Sequence, residues 1–573
     1  MRSIYSCLVD AAVRQPDKLL YVFPETRWNC AASLTYSLLA ERAARAARAI
    51  SSQTRPGDRA LLLFPTGTEF CEAFLGCVAC GVIPVPLRTP NLRRNARSLD
   101  EICHDCAPTL ILTDDGTATL WRTDQQLSPA LAPLPVMTAN EWRGAPAEFP
   151  TFAFAPHDTV FLQYTSGSTA RPKGVQITHA NLLANMTMIR DQMQVRTGED
   201  SSVTWLPHYH DMGLVGSYLT TIFTNLTCTC LPPEEFAFRP ASWLQAIAAQ
   251  RANICGGPDF GYRLCVEKIS DEEMSGLDLS SWRVAFVGAE RIREETLRLF
   301  ASRFSPWGFG ESSFFPCYGL GEATLMATGG PAGNGVIVRA VSKRGLAENR
   351  IEPAPSRDDE LQIVGSGATF ASSTVSIRDP ETGTPLAEGS IGEIHLCSES
   401  VTPGYFQRDD LTPSLFRDVS ENGEQRRFLR TGDLGFLSDQ HLFVTGRLKE
   451  LIIVRGRNLY PEDVEHVVQS AHPSLQPRGT VAFSVDQNGL EALVIASELK
   501  RTAREPESFE EILGAIRSAV ALSFGISPAE IVLLRQASVP RTSSGKPRRL
   551  MVRESYLKGT LEMIHSTQAS TES

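Results

Sequence analysis

The fold of this chain is decided by residues 162–174, which read LQYTSGSTARPKG. They follow an apolar run typical of a buried strand and precede Thr178, which can cap a helix. Residues 165–174 hold four aliphatic hydroxyl groups, two glycines and a lysine, which suit anionic oxygens and a closely approaching ligand. The order after Gly167 is not that of a Walker A loop. The stretch predicts a triphosphate-binding loop between a strand and a helix; the alternative is a polar surface loop.

Length and composition indicate an ordinary soluble protein with two or more domains. The chain has 573 residues, of which 42% are hydrophobic and 21% charged. Its formal charge of −10 disfavours nucleic-acid binding. The longest apolar run is far shorter than a membrane span, and the start lacks the apolar core of a secretory signal. Thirteen cysteines at irregular spacing fit free thiols. We therefore expect a cytoplasmic protein without stable membrane insertion.

Strands and helices alternate in the first part of the chain. Apolar runs at residues 59–64, 82–87 and 110–113 are typical of buried strands, and helical patterns separate them. This alternation predicts an α/β fold with a parallel sheet covered on both faces. From residue 451 onward, strand and hairpin patterns surround two helices, one of them beginning at Pro461, which predicts a smaller α+β domain.

Two later motifs leave alternatives open. Residues 204–214 read TWLPHYHDMGL and offer two histidines and an aspartate, either as metal ligands, as substrate contacts or as structural groups. No convincing third metal ligand accompanies the histidines. Residues 252–262 place glycines beside aromatic side chains, which can open a narrow apolar tunnel or pack a helix against a sheet.

The stretch at 162–174 resembles the phosphate loop of the adenylate-forming superfamily. Its sequence is most similar to that of the fatty acyl-AMP ligases. Further motifs up to residue 546 occur in the order of that family. The resemblance implies a large N-terminal domain of parallel and mixed sheets with a β-subdomain, at residues 1–447. It also implies a small mobile α+β domain at 448–565, joined at the hinge residue Lys449. The small, polar residues at 566–573 predict a disordered tail.

The resemblance assigns the nucleotide site to four motifs. They supply Thr165, Ser166, Gly167, Ser168, Thr169 and Lys173; Gly288, Ala289 and Glu290; Tyr318, Gly319 and Gly321; and Asp433 and Arg447. Tyr318 would stack on the adenine, Asp433 would accept from the ribose hydroxyls, and Glu322 would hold Mg²⁺. The chain departs from the family pattern at Gly321, where many relatives carry threonine.

The resemblance also assigns the acyl site and the catalytic groups. The acyl-binding residues would be His210, Asp211, Gly213, Gly257, Pro258 and Phe260. Lys546, His210 and Glu322 would be catalytic. A free Asp211 carboxylate would suit an amino-acid substrate better than a fatty acid, but the sequence that flanks Asp211 favours the fatty acid. An irregular segment at about 340–366 matches an insertion that limits transfer to free CoA in the family; the alternative is a tolerated surface loop.

The implied reaction uses ATP and Mg²⁺ to convert a fatty acid to acyl-AMP. The acyl group would then pass to the phosphopantetheine thiol of an acyl carrier protein, which Arg548 and Arg549 are candidates to dock. Three alternatives remain open: a fatty acyl-CoA ligase, an amino-acid adenylation enzyme, and a nucleotide-binding regulator without catalysis.

Overall fold

The computed structural model describes residues 3–89, 96–123, 130–147, 153–165, 172–421, 424–454, 456–487, 490–502, 509–542 and 545–567. It confirms the predicted α/β class, with parallel and mixed sheets between helices. Within these residues, no helix has both the length and the apolar character that a membrane crossing requires.

The first elements follow the predicted alternation. They are α1 (Ile4–Arg14), β1 (Leu19–Phe23), β2 (Ala32–Thr35), α2 (Tyr36–Ser51), β3 (Arg59–Leu63), α3 (Thr68–Ala79), β4 (Ile83–Leu87), α4 (Ala96–Cys106), β5 (Leu110–Thr113), α5 (Asp115–Thr123), β6 (Val136–Thr138) and α6 (Ala139–Arg143). Four of the strands form a parallel sheet in the order β4-β3-β5-β6. Their side chains are almost all buried because helices cover this sheet.

The next elements build the sheet that carries the site. They are β7 (Thr159–Thr165), β8 (Lys173–Thr178), α7 (His179–Gln192), β9 (Ser201–Thr204), α8 (Asp211–Gly213), α9 (Thr220–Phe223), β10 (Thr227–Cys230), α10 (Pro233–Phe238), α11 (Ala241–Gln250), β11 (Ile254–Gly257), α12 (Asp259–Lys268), β12 (Val284–Val287), α13 (Glu294–Phe304), β13 (Phe314–Gly319) and β14 (Met326–Gly329). An eight-stranded sheet runs in the order β14-β13-β12-β11-β9-β10-β1-β2. Its inner strands are parallel, so their carboxyl ends meet at one edge.

The described residues on both sides of 166–171 are strands, so the prediction that a helix directly follows this segment was wrong. β7 pairs antiparallel with β8, and Lys173 is the first residue of the second strand. The cause is a short alternating pattern in which Val175 and Ile177 are buried and Gln176 is not. The predicted helix cap at Thr178 is confirmed. Its hydroxyl accepts from the Asn181 N–H at 3.1 Å, at the start of α7.

A β-subdomain follows. Its elements are β15 (Val338–Ser342), α14 (Lys343–Ala347), β16 (Glu360–Val364), β17 (Ser373–Arg378), β18 (Gly392–Ser398), α15 (Thr412–Leu415), β19 (Phe416–Glu421), β20 (Glu424–Ser438) and β21 (His441–Arg447). β17 to β21 form a five-stranded sheet. The segment at 340–366 is less irregular than predicted, because β15 and β16 pair antiparallel around the short helix α14.

The last elements form a second unit with its own core. They are β22 (Ile452–Val454), β23 (Arg457–Leu459), α16 (Pro461–Gln469), β24 (Leu475–Gln487), β25 (Leu490–Leu499), α17 (Phe509–Phe524), β26 (Glu530–Leu534), α18 (Arg549–Leu557) and β27 (Met563–Ser566). Pro461 stands at the first position of α16, as predicted. Two apolar clusters contain only residues of this unit. Of the predicted tail, Ser566 pairs with Val532 in a strand, and residues 568–573 lie outside the described residues.

A buried carboxylate ties three helices of the first part together. Glu72 of α3 is fully buried. Its Oε1 accepts from Arg42 Nη1 of α2 at 2.9 Å and from Arg143 Nη2 of α6 at 3.0 Å. Its Oε2 accepts from the Trp142 indole N–H at 3.0 Å. Because every partner donates to the same carboxylate, removing that group leaves the buried Trp142 N–H and two partly exposed guanidinium groups without this acceptor.

We expect Glu72→Ala to lower the free energy of unfolding by about 2–3 kcal/mol, because the buried Trp142 N–H loses its acceptor and two arginines lose charged hydrogen bonds. Urea denaturation followed by tryptophan fluorescence measures the change. The matched control is Glu41→Ala, because Glu41 pairs with Arg45 while its side chain is 49% exposed. The control should cost no more than about 1 kcal/mol. Equal losses in the two variants would contradict a structural role for the buried carboxylate.

Candidate active site

A cavity of about 610 Å³ lies where the large sheet, the β-subdomain and the C-terminal unit meet. It sits at the carboxyl ends of β9, β12 and β13, the usual ligand position in parallel sheets. The predicted site residues that line it are Lys173, His210, Asp211, Ala289, Glu290, Tyr318, Gly319, Gly321, Glu322, Asp433, Arg447, Lys449 and Lys546. Motifs more than 300 residues apart in the sequence therefore share one space.

Asp433 is held from two sides. The register of β20 and β21 places it directly opposite Arg447, whose Nε lies 3.2 Å from Asp433 Oδ1. The Tyr318 hydroxyl donates to Asp433 Oδ2 at 2.7 Å. Burial raises the pKa of Asp433, while Arg447 and Tyr318 act in the opposite direction. The carboxylate is thus fixed in orientation, as recognition of a diol requires.

Lys546 reaches the cavity from a segment of the C-terminal unit whose described residues are 540–542 and 545–548, which we call the Lys546 loop. The loop is closed by two bonds, from Lys546 N–H to Thr542 Oγ1 at 3.0 Å and from Thr542 N–H to Lys546 O at 2.8 Å. The Lys546 ammonium donates across the interface to the carbonyl of Ala289. Burial, and then the charge of Arg447, lower the pKa of Lys546, whereas Glu290 and other carboxylates oppose that shift. An anionic ligand would favour the charged ammonium in the same way.

A second cation lies beside Glu322. The Tyr405 hydroxyl donates to Glu322 Oε1 at 2.7 Å, and the Lys173 ammonium lies 5.0 Å from the centre of the Tyr405 ring. Burial and the neighbouring Lys449 lower the pKa of Lys173, which Glu322 partly offsets. Lys173 and Lys449 therefore bring two positive charges close together beside Glu322, and phosphate oxygens would compensate for their repulsion.

Glu322 is the cavity residue that fits a Mg²⁺ ion. Mg²⁺ keeps several waters and usually takes one or two protein carboxylates together with substrate phosphates. Among the described residues, there is no group of three or more His, Cys, Asp or Glu side chains that could hold a metal. A single carboxylate beside the two lysines therefore fits an ion that arrives with phosphate groups.

His210 and Asp211 form a pair at the mouth of the cavity. His210 Nδ1 lies 2.6 Å from Asp211 Oδ1, and the Met212 N–H donates to the same oxygen at 2.7 Å. Burial alone would raise the pKa of Asp211, but the charge and hydrogen bond of His210 outweigh it and lower that pKa. His208 does not join the pair; it is buried with its ring 4.1 Å from that of Phe70.

Four of the predicted acyl-binding residues lie behind the cavity wall. Gly213, Gly257, Pro258 and Phe260 do not line the cavity. Gly257 faces the Trp205 indole so closely that an added Cβ would lie 2.8 Å from it. Trp205 stacks on Phe236 with ring centres 3.9 Å apart and lies edge-on to Phe260 at 5.7 Å. Of the two interpretations of this segment, packing against the sheet describes Gly257 in this structure.

Some predicted nucleotide residues have no described geometry. Ser166, Gly167, Ser168 and Thr169 lie outside the described residues, and so does the side chain of Thr165. Gly288 is described but stands beside the cavity, where an added Cβ would lie 2.6 Å from the carbonyl oxygen of Cys317. Its role is close packing between β12 and β13.

The structure also adds cavity residues that the sequence motifs did not indicate. Tyr405 belongs to a segment whose Thr402 N–H donates to the Glu322 carbonyl at 2.9 Å. Arg291 of the 288–293 turn pairs with Asp463 of α16 at 2.6 Å and joins the two units. A tyrosine after Pro-Gly and an arginine after an acidic residue are common surface patterns, so no local signal distinguished them.

Comparison with known proteins settles the family. The family model described as AMP-binding enzyme matches residues 8–406. The chain belongs to the AMP-binding enzyme family. In this AMP-binding enzyme, residues 449–566 match a second model, described as the AMP domain of Disco-interacting protein 2-like proteins.

Its relatives match nearly the full length of the chain. The medium-chain-fatty-acid–[acyl-carrier-protein] ligase JamA of Moorena producens is 36% identical over 546 residues, which cover 92% of this chain and 91% of the relative. A solved structure from studies of fatty acyl-adenylate ligases of E. coli and L. pneumophila has a TM-score of 0.87 at 34% identity, covering 98% of each chain. The L. pneumophila fatty acyl-adenylate ligase in complex with acyl adenylate and pyrophosphate has a TM-score of 0.74 at 33% identity, covering 99% of this chain and 98% of that one.

Asp433→Asn should weaken AMP binding. The neutral amide no longer forms an ion pair with Arg447, and its single oxygen cannot accept hydrogen bonds from both ribose hydroxyls as a carboxylate can. Losing a hydrogen bond to a charged group typically costs about 1.5–3 kcal/mol, or roughly 10- to 100-fold in Kd. Isothermal titration with AMP measures the change. The control is Asp278→Asn, because Asp278 is 52% exposed and pairs with Arg251. Unchanged AMP affinity in Asp433→Asn would contradict the role of this carboxylate.

Proposed function

We propose that this chain is a fatty acyl-AMP ligase. It uses ATP to convert a fatty acid to acyl adenylate and pyrophosphate, then passes the acyl group to the phosphopantetheine thiol of an acyl carrier protein. The observation that carries the proposal is the convergence of Lys173, Lys546 and the Asp433–Arg447 pair on one cavity. The named activities of the relatives support the fatty acid and the carrier protein.

The first step is a displacement at phosphorus. A carboxylate oxygen of the fatty acid attacks the α-phosphorus of ATP, an oxygen–phosphorus bond forms, and pyrophosphate leaves with the electrons of the broken bond. Negative charge develops on phosphate oxygens, so catalysis consists mainly of positioning and charge stabilisation. Lys546 supplies a buried ammonium beside the attacking carboxylate, and Lys173 supplies another on the side of Glu322. Asp433, Tyr318 and Arg447 hold the nucleoside.

Glu322 would hold the Mg²⁺ that accompanies ATP. When bound, the ion neutralises charge on the phosphate oxygens. The part played by the chain is to present one oriented carboxylate, since the Tyr405 hydroxyl fixes Glu322 Oε1. The same tyrosine ring lies next to the Lys173 ammonium, so one side chain positions both groups.

The His210–Asp211 pair favours a fatty acid over an amino acid. A substrate ammonium needs a carboxylate whose charge is not already engaged by other donors. Asp211 Oδ1 already accepts from His210 and from the Met212 N–H. The pair instead leaves His210 to contact the substrate carboxylate, because its Nδ1 is turned to Asp211 and its side chain is 26% exposed.

Contacts of the segment at 340–366 favour a carrier protein over free CoA as acceptor. Val341, Leu346 and Ile363 form one buried cluster with Tyr460 of the C-terminal unit. Asn458 Nδ2 donates to Asn349 Oδ1 at 2.9 Å across the same interface. A segment bonded to both units restrains their relative movement, which supports the role of the insertion implied by the resemblance.

The docking prediction for Arg549 was wrong. Its side chain is 11% exposed and lies 2.5 Å from Glu450 and 2.7 Å from Glu465, so it is already neutralised inside the C-terminal unit. Arg548 lines the cavity and remains a candidate for docking an acidic carrier protein. All thirteen cysteines are free thiols, which supports a reducing cytoplasm as the compartment.

Lys546→Ala should abolish acyl-adenylate formation while ATP still binds, because only the ammonium beside the reacting groups is removed. The wild type should catalyse ATP–pyrophosphate exchange with fatty acids of graded length, and the variant should lose at least about 100-fold in rate. The control is Lys558→Ala, because Lys558 is 70% exposed. Exchange retained in Lys546→Ala would refute the catalytic role. Exchange with amino acids in place of fatty acids would refute the substrate.

Shortening the insertion should allow acyl-CoA formation. Ser342 and Glu360 pair across β15 and β16, so an Asn-Gly turn can replace residues 343–359 and leave a closed hairpin. We expect pyrophosphate exchange to persist and acyl-CoA to accumulate with free CoA, as measured by mass spectrometry. Asn349→Ala, which removes one interface hydrogen bond, is the matched mild variant. An active shortened enzyme that still rejects CoA would contradict the restraint.

A further inference from the structure

We propose that Arg478 and Arg541 form a clasp that positions Lys546 by linking its loop to Phe260 across the interface between the two units. The inference rests on the proposed adenylation reaction, in which Lys546 is the catalytic group. Both arginines are positioning residues, since neither lines the cavity.

The first link of the clasp joins the two units. The Arg478 guanidinium carbon lies 4.2 Å from the centre of the Phe260 ring, a close cation–π contact. Phe260 is fixed in turn, because its N–H donates to Glu290 Oε1 at 2.8 Å and Glu290 lines the cavity. The C-terminal unit thereby contacts a ring that stands one hydrogen bond away from the cavity wall.

The second link runs from Arg478 to the loop of Lys546. Arg541 Nη2 donates to the Arg478 carbonyl at 2.6 Å, and Arg541 Nη1 donates to the Gly545 carbonyl at 3.2 Å. Gly545 is the residue immediately before Lys546. A planar guanidinium with donors at both ends holds the two carbonyls at a fixed separation. A continuous series of direct contacts therefore runs from Phe260 through Arg478 and Arg541 to the Lys546 loop.

The backbone of Arg478 adopts an uncommon conformation. Arg478 has φ +59°, in the left-handed region, at an irregularity of β24 between Leu475 and Thr480. Glycine adopts this conformation without steric cost, whereas arginine does not. A glycine stands next in the sequence, at Gly479, yet the strained position carries the arginine. Strain of this kind persists where the surrounding contacts compensate for it.

The site explains why such a clasp is needed. Burial and the charge of Arg447 both disfavour the Lys546 ammonium in its observed position. A long side chain on a loop would relieve that cost by turning toward solvent. The clasp opposes this movement because it anchors the loop to Phe260, on the opposite side of the interface.

Variants of the exposed arginine test the clasp without disturbing a core. Arg478→Met keeps the length of the side chain and removes its charge, and Arg478→Lys keeps a cation near the ring. We expect kcat for fatty-acid-dependent pyrophosphate exchange to fall about 3- to 30-fold in Arg478→Met, the range of a lost cation–π contact, with KM for ATP within about twofold. Arg478→Lys should recover part of the loss. The control is Arg535→Met, an exposed arginine of the same unit.

A double variant tests whether the two partners act together. Phe260→Leu alone should lower kcat, and Phe260→Leu with Arg478→Met should lower it no further than the more severe single change. Additive losses would overturn the clasp, as would an Arg478→Met enzyme indistinguishable from Arg535→Met. A rise in KM for ATP in proportion to the fall in kcat would also overturn it, because that pattern indicates damage to the nucleotide site.

Hydrogen exchange tests the second link independently of activity. Arg541→Met should speed amide exchange in residues 540–548 at least about threefold, while exchange in the core strands β25 and β26 stays unchanged. Unchanged exchange in the loop would overturn the role of Arg541. If the wild type shows no ATP–pyrophosphate exchange with any fatty acid, the proposed function fails. The hydrogen-exchange measurement would still decide whether the clasp holds the loop.

Discussion

The active site depends on placing one ammonium group, that of Lys546, in a cavity between the two units of the chain. Removing an ammonium from water costs several kcal/mol unless oxygen atoms compensate for it. Those oxygens come from the Ala289 carbonyl and from the carboxylates of Glu290, Asp211 and Glu462, which belong to both units of the chain. The oxygen atoms that compensate for burying this charge are therefore in place only while the units are in contact, so the chemistry of the site depends on the packing of the interface.

Much of the site could be predicted from the sequence because its chemistry is concentrated in short motifs. The strand register confirms that Asp433 and Arg447 face each other, and the cavity contains both predicted lysines. Such motifs can be recognised from neighbouring residues alone, because a glycine, an aspartate and a nearby arginine suit nucleotide binding wherever the strands place them. The α/β class was predictable for a similar reason, since buried parallel strands read as continuous apolar runs.

What the sequence could not reveal were contacts between distant segments. Arg549 stands beside the loop of Lys546 and resembles a surface residue, but its environment is set by Glu450 and Glu465, which lie 99 and 84 residues away. Tyr405 acquires its role from Glu322, 83 residues earlier. The glycines at 257 and 261 suggested a tunnel equally well as packing, and only the position of the Trp205 indole distinguishes the two. In each case the deciding partner was absent from the local pattern.

The walls of the cavity have a consequence for inhibition. Since Tyr318 and Asp433 come from one piece of the molecule and Lys546 from another, a compound that fills the space contacts both and resists their separation. The residence time of such a compound would depend mainly on how fast the two pieces separate. The strength of the compound's own contacts would be secondary. An adenylate mimic with modest affinity in equilibrium measurements can thus dissociate slowly, and screening by off-rate suits this enzyme better than screening by potency.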